Sequence, residues 1–140
     1  MKVKGFSIPT DIPLMIWILT RTVFYRRQLA SMSLEEIMRV SQLQKVKSNK
    51  LPAVVKRTRL EKTYRLISWY YRRILKVSNP CFVRSLVIYE QAKRMGLDVQ
   101  LIIGFQKNDQ INGHGWILLD DEVFIDSKTH LEEYTEIISW

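Results

Sequence analysis

Three side chains in the second half of the sequence could together carry out acyl transfer: Cys81, His114 and Asp126. A thiolate can attack an acyl carbon, an imidazole can move a proton from the thiol to a leaving amine, and a carboxylate can fix the imidazole tautomer. The same residues could instead be a buried filler cysteine, a surface histidine and a solvated aspartate, because a lone cysteine often serves only packing. The residue types alone leave both interpretations open.

Cys81 stands directly after Asn79-Pro80, a pair that predicts the start of a helix. Proline suits the first helical position because its missing N–H would have no partner there. Cys81 is then expected in the first turn, where unpaired amides and the positive end of the helix dipole favour a thiolate. The same amides could stabilise the oxyanion that forms when the thiolate attacks a carbonyl.

His114 and Asp126 are expected on two neighbouring antiparallel strands, His114–Leu119 and Val123–Asp126, joined by a hairpin at Asp120-Asp-Glu122. Side chains alternate along a strand, so the length of the loop decides which residues share a face. The three-residue loop places His114 and Asp126 on the same face. A two-residue turn would place them on opposite faces.

The first half of the chain is predicted to be helical. Apolar spacing over Ile12–Phe24 predicts a core or interface helix, and Ser33-Leu-Glu-Glu36 is a capping box that opens a second helix through about Val46. A long basic helix is expected from Ala53 to Leu75. Its apolar stripe is interpreted as core: Leu60, Tyr64, Ile67, Tyr71 and Ile74.

The second half changes its periodicity. The helix that begins near Pro80 is expected to end at Gly96, and strands are predicted at Val99–Phe105 and near Tyr134–Ile138, besides the two hairpin strands. Helices followed by an antiparallel sheet indicate the α+β class. The expected architecture is a set of N-terminal helices followed by one central helix packed on a small antiparallel sheet.

Composition and charge set the broad limits. With 140 residues, 46% of them hydrophobic, and few Gly and Pro, the chain is long and apolar enough to bury a core. Residues 1–78 hold 17 Lys and Arg against 4 Asp and Glu, whereas residues 79–140 hold 5 against 10. We therefore divide the chain into a basic helical region, 1–78, and a core, 79–140, within one compact unit. The basic region also leaves open a nucleic-acid-binding module.

Neither a membrane span nor a cofactor is expected. The apolar run Leu14–Leu19 is far shorter than the roughly 20 residues that cross a bilayer, and a single cysteine gives no sign of an oxidising compartment, so we predict a cytoplasmic protein. Cys81, His114 and Asp126 lack the paired spacing of zinc motifs, so no metal is expected. The other histidine, His130, lies in a polar stretch and is expected to be exposed.

Four segments in order resemble the transglutaminase-like domain of lasso-peptide leader peptidases: Asn79–Leu86, Leu101–Gly104, His114-Gly-Trp116 and Phe124–Asp126. The resemblance is close over about residues 79–127 and looser over the helical front half. It implies a transglutaminase-like (papain-like) core, with Cys81 as nucleophile, His114 as base and Asp126 as orienting acid. The chain departs from the family at Gly115, where relatives usually carry Ala, and at Asp120-Asp-Glu122, where they often turn at Asp-Gly.

The resemblance also implies an activity and partners. Such a cysteine peptidase removes the leader from a ribosomally synthesised precursor peptide, and a separate cyclase then acts on the core peptide. This chain resembles the stand-alone protease half of the split B protein, so a separate winged-helix protein is expected to bind the leader. Aromatic residues of the front half either dock that partner or fill the core: Trp17, Phe24, Trp69 and Tyr70. Another acyl-transfer enzyme of this fold, a transglutaminase or deamidase, would use the same triad.

Overall fold

The protein has helices first and a sheet last, as the sequence predicts, and it belongs to the α+β class. The computed structural model describes residues 8–42, 50–76, 81–107, 111–125, 131–132 and 134–139. The helices are α1 (Ile8–Ser31), α2 (Leu34–Gln42), α3 (Ala53–Tyr70) with a π-helical turn (Tyr71–Leu75), and α4 (Cys81–Arg94). The strands are β1 (Val99–Lys107), β2 (Ile111–Leu119), β3 (Glu122–Val123) and β4 (Tyr134–Ser139).

Helix α1 carries apolar side chains on two faces. Its inner face is buried in the core and follows the helical repeat: Asp11, Ile18, Thr22 and Tyr25. The outer face keeps large apolar side chains between 37% and 56% exposed: Ile12, Ile16, Val23 and Phe24. The apolar run therefore belongs to a helix that packs on the core with one face only.

The capping box that opens α2 is confirmed. The Ser33 N–H donates to Glu36 Oε2 at 2.9 Å, and the Glu36 N–H donates back to Ser33 Oγ at 3.3 Å. The Ser33 N–H, and the Ser33 hydroxyl that donates to the same oxygen at 3.1 Å, lower the pKa of Glu36. The reciprocal pair satisfies two amides that the first turn of a helix leaves without an internal partner. The predicted end of this helix, near Val46, lies outside the described residues.

The long basic helix is confirmed from Ala53, but its last turn is π-helical. Leu60, Ile67 and Tyr71 are almost fully buried, whereas Ile74 is 56% exposed, so its assignment to the core was wrong. A π-helical turn contains more residues than an α-helical one and shifts the phase of the side chains that follow. That shift moves Ile74 off the buried stripe.

Helix α4 is the central helix that the sequence predicts. Every residue from Ser85 to Ala92 is buried, and the helix contacts α1, α3, β1 and β2. It ends as expected at Gly96, whose φ of 71° is the left-handed conformation that favours glycine. The larger hydrophobic cluster joins residues of α1 to α4 with residues of the sheet. The division of the chain at residue 78 stays a prediction.

The sheet has four antiparallel strands in the order β3-β2-β1-β4. Strand β1 lies in the middle and pairs with β2 along its whole length, Val99 opposite Leu119 and Lys107 opposite Ile111. The short strand β3 pairs only with Leu118 and Leu119 of β2. Beyond these two residues, no described strand covers the outer edge of β2.

The predicted three-residue hairpin loop was wrong. Leu119 pairs with Glu122, so the turn holds only Asp120 and Asp121, both with positive φ. Two positive φ values are the signature of a type I′ turn, which matches the twist of the flanking strands. The parity argument for a shared face of His114 and Asp126 therefore fails. Strand β3 also ends at Val123, and Ile125 has a φ of 69°, so regular alternation does not extend to Asp126.

None of the helices within the described ranges combines the length and the apolar character needed to cross a bilayer.

Candidate active site

The start of α4 is bound to the outer edge of β2 by two side chains one helical turn apart. The Cys81 thiol lies 3.9 Å from the Gly113 carbonyl oxygen, and the Ser85 hydroxyl donates to the Gly115 carbonyl at 2.8 Å. Four residues of an α-helix rise about 6 Å and two residues of a strand about 6.7 Å. The helix and the strand therefore match in spacing at this contact.

Two glycines allow this close approach. A Cβ added at Gly113 would lie 3.0 Å from the Phe82 ring and 3.1 Å from the Phe105 ring. A Cβ at Gly115 would lie 3.4 Å from the Phe82 ring and 3.7 Å from Ser85 Oγ. Phe82 thus packs against a strip of bare backbone on either side of His114. The Gly-His-Gly sequence is explained by packing against α4.

Cys81 and His114 meet at this edge. Alternation along β2 directs Gly113 and Gly115 toward α4 and His114 toward the opposite face of the sheet. The Cys81 thiol is nevertheless hydrogen-bonded to the His114 imidazole, and among the described strands none pairs with the outer edge of β2 at this point. Cys81 is 2% exposed and His114 7%. The sulfur is buried, but its neighbours are an imidazole and backbone polar groups.

The environment of Cys81 favours the thiolate. Burial raises the pKa of the thiol, but hydrogen bonds from the His114 imidazole and the Gly115 N–H, with the charges of His114 and Arg84, outweigh it and lower the pKa. The first turn of α4 contains no acidic residue, so the positive end of the helix dipole is not neutralised there. A thiolate of lowered pKa beside an imidazole can act as a nucleophile toward an acyl carbon.

Aromatic rings hold the imidazole on the far face of the sheet. The His114 ring lies 5.9 Å from the Trp116 ring and 5.2 Å from the Tyr134 ring, measured between centroids, and Trp116 and Tyr134 are 6.3 Å apart. Gly104 of β1, directly opposite His114, provides the space. A Cβ there would lie 2.8 Å from the Trp116 ring. The cluster restricts the orientations that the imidazole can adopt.

Of the three residues predicted as a triad, the structure brings Cys81 and His114 together. Asp126 lies outside the described residues, and so does His130. Sequence reasoning missed Ser85, the backbone of Gly115, Arg84 and Tyr134. The spacing of Cys81 and Ser85 by one helical turn was the available signal for Ser85, whereas Tyr134 reaches His114 only through the pairing of β1 with β4. In the described part of the chain, no group of three His, Cys, Asp or Glu residues is placed to hold a metal ion.

The comparisons with known proteins agree with this architecture. Residues 19–139 match the model of the transglutaminase-like superfamily. Neither the comparison with curated proteins nor that with solved structures found a match. The family match spans most of the chain and includes both Cys81 and His114. Members of this superfamily are typically cysteine peptidases or acyl transferases. The chain belongs to the transglutaminase-like superfamily.

Proposed function

We propose that the protein is a cysteine peptidase in which Cys81 is the nucleophile, His114 the general acid and base, and Asp126 the residue that orients the imidazole. The observation that carries the proposal is the hydrogen bond between the Cys81 thiol and the His114 imidazole at the start of α4. A filler cysteine would need neither a lowered pKa nor an imidazole partner. The role of Asp126 rests on the family resemblance.

The proposed reaction has two steps. The Cys81 thiolate attacks the carbonyl carbon of the scissile amide, and free amides of the first turn of α4 stabilise the oxyanion. The protonated His114 gives its proton to the leaving amine as the C–N bond breaks, which leaves a thioester. His114 then takes a proton from water, the hydroxide attacks the thioester, and the carboxylic acid and the thiolate are released.

The substrate that we propose is the precursor of a ribosomally synthesised lasso peptide, cleaved between leader and core. The support is the ordered set of segments around Cys81, His114, Trp116 and Asp126, which resembles the leader peptidases of that pathway. We also propose a cytoplasmic location, since a precursor peptide is made there and the one thiol of the chain is free. A cyclase would act on the product.

The test is co-expression of the protein with a candidate short precursor and a candidate leader-binding protein encoded beside it, followed by mass spectrometry of the peptide. Cleavage at one bond, lost in Cys81→Ala, is the expected result. The wild-type protein alkylated with iodoacetamide is a matched control, because Cys81 is the single cysteine of the chain. Cleavage that persists in both would contradict the assignment of the nucleophile.

The same experiment separates the peptidase from the alternative acyl-transfer enzymes. A deamidase would raise the mass of a glutamine-containing peptide by about one dalton, and a transglutaminase would join a glutamine to an added primary amine. Both products would depend on Cys81, because the thioester step is shared. Either product without backbone cleavage would replace the peptidase proposal.

For the leader-binding partner, we propose that it docks on the outer face of α1. Ile12 and Ile16 are 46% and 56% exposed there, and Val23 is 46% exposed. An apolar strip of this kind on a helix is typical of an interaction surface. The excess of positive charge in residues 1–78 opposes the approach of a second copy and favours an acidic partner. Trp17 and Tyr70 are weaker candidates, because both pack against the core.

Ile16→Glu tests this surface. We expect partner-dependent cleavage to fall, because a negative charge replaces an apolar contact and repels an acidic partner. The alkylation of Cys81 should be unchanged, since Ile16 is exposed on the outer face of α1. Glu35→Gln on α2 is the control for a surface charge change. Full partner-dependent cleavage by Ile16→Glu would place the docking surface elsewhere.

A further inference from the structure

The backbone of the Gly113-His114-Gly115 segment of β2 must be held in place if His114 is to stay beside the Cys81 thiol. Glycine is the residue with the greatest backbone freedom, and two glycines flank the imidazole that must meet the thiol. On the inner side, β1 pairs with this segment: Gly104 lies opposite His114, and Ile103 opposite Gly115. On the outer side, β3 reaches only Leu118 and Leu119. Pairing with a described strand therefore fixes one edge of the segment and not the other.

Ser85 makes a hydrogen bond to the outer edge of β2, where no described strand pairs with Gly115. Its hydroxyl donates to the Gly115 carbonyl at 2.8 Å, and the side chain is 4% exposed. The N–H and the C=O of one strand residue point to the same side of the strand. Holding the Gly115 carbonyl toward α4 therefore also holds the Gly115 N–H toward α4, where it faces the Cys81 sulfur and helps to lower the pKa of the thiol.

We propose that Ser85 is a positioning residue: its hydroxyl fixes the Gly115 peptide so that the Gly115 N–H faces the Cys81 sulfur and His114 stays within reach of it. The inference rests on the proposed role of Cys81 as nucleophile. Ser85 acts through Gly115 and contacts no reacting atom. Without the hydroxyl, the Gly115 carbonyl would lose its partner at a buried position, and the peptide would rotate to find another.

The experiment measures the pH dependence of Cys81 alkylation by iodoacetamide in the purified protein. Because the chain has one cysteine, the reaction reports on this thiol alone. The midpoint of the profile is used, since burial slows the reaction at every pH. In Ser85→Ala we expect the midpoint to move up by about one pH unit, with about tenfold slower alkylation below it. Ser85→Thr, which keeps the hydroxyl, should restore most of the change.

Ser68→Ala is the matched control, because it removes the same hydroxyl from α3, where no hydrogen bond to the sheet exists. It should keep the wild-type midpoint. A merely structural Ser85 would lower the melting temperature of Ser85→Ala and leave the midpoint unchanged, and that result would overturn the proposal. Since alkylation needs no peptide, the outcome does not depend on whether the protein cleaves the proposed substrate.

A measurement on the wild-type protein applies even where Ser85→Ala does not fold. The amide resonance of Gly115, followed by NMR across the same pH range, should shift with the midpoint of the thiol as the sulfur becomes an anion. Cys81→Ala should abolish that titration. If the Gly115 amide resonance does not shift as Cys81 ionises, the Gly115 N–H does not contact the Cys81 sulfur in solution, and the proposal is overturned.

Discussion

Helix α4 meets different kinds of neighbour at its two ends. In the first two turns, Cys81 and Ser85 contact backbone carbonyls of β2, and the first turn contains no acidic residue. Near the other end, Glu90 is buried and binds Arg21 at 3.2 Å, Arg94 at 2.7 Å and the Tyr25 hydroxyl at 2.8 Å. One end therefore holds the Cys81 thiol against the backbone of β2, and the other joins α1 to α4 through charges.

The two ends of α4 are therefore expected to differ in role. The ion pairs and the Tyr25 hydrogen bond of Glu90 compensate a buried carboxylate, so removal of one of these groups is expected to lower the stability. At the other end, the thiol lies where the positive end of the helix dipole and the Gly115 N–H favour its anion. Helix α1 thus holds α4 in place through Glu90, at the end of α4 that lies away from the Cys81 sulfur.

The largest effect should come from His114→Ala at the first end. Loss of the general acid and base should slow the proposed cleavage by about 10²–10⁴-fold. The pKa of Cys81 should rise, because a hydrogen bond and a positive charge that favour the thiolate are removed. The thiolate forms as pH rises through this pKa, so the alkylation profile should move to higher pH.

His130→Ala is the control for that change, since it removes the other histidine of the chain. We expect its cleavage rate and its alkylation profile to equal those of the wild type. An alkylation midpoint that stays in place in His114→Ala would show that the imidazole does not interact with the thiol in solution.

The next effect concerns the second end of α4. Glu90→Ala removes the carboxylate that binds Arg94 and Arg21, whose side chains are 35% and 24% exposed, and the buried Tyr25 hydroxyl, so the free energy of unfolding should fall by about 1–3 kcal/mol. Urea unfolding measures the change. The alkylation midpoint of Cys81 should be unaffected wherever the variant is folded.

Glu61→Ala is the matched control for Glu90→Ala. Glu61 pairs with Arg57 and Arg65 on the surface of α3, where ion pairs contribute about 0–1 kcal/mol. Equal destabilisation by the two substitutions would contradict the special role of the Glu90 end.

The smallest effect should come from the charge of Arg84. Arg84 lies over the Tyr64 ring at 4.6 Å and is one of the causes that lower the pKa of Cys81. Its half-buried side chain is partly screened by solvent, so Arg84→Gln should move the alkylation midpoint upward by less than about half a pH unit.

Arg94→Gln is the control for Arg84→Gln, because it removes the same charge at the other end of α4. It lies 13 residues after Cys81 on the same helix, a separation of about 20 Å along the axis and beyond the Debye length of about 8 Å at physiological salt. We expect lower stability with no change in the midpoint. A shift of the midpoint as large as that of Arg84→Gln would show that the two ends are coupled.

Local signals in the sequence predicted much of the fold. The capping box at Ser33 and the glycine stop at Gly96 act within a few residues, and both are confirmed. Ile74 was misassigned because the spacing of apolar residues does not reveal a π-helical turn at the end of an α-helix. The hairpin was misjudged because Asp120-Asp121 lacks the glycine that usually marks a type I′ turn.

Only the site residues with a distinctive chemical type could be predicted from the sequence. The lone cysteine after Asn79-Pro80 and the histidine between two glycines were visible in the sequence. Ser85 and Tyr134 were not, because their contacts depend on how α4 docks on β2 and on which strand pairs with β1. Asp126 stays a prediction.

The covered edge of β2 limits how a peptide can bind. Three successive outward carbonyls are occupied: Gly113 by the thiol, Gly115 by the Ser85 hydroxyl and Ile117 by the Phe124 N–H at 2.9 Å. An extended chain that joins a sheet needs such carbonyls for its own amides. A bound peptide therefore cannot continue the sheet as a further strand beside β2. For the proposed peptidase, selectivity for a cleavage bond would then come from side-chain contacts around the sulfur.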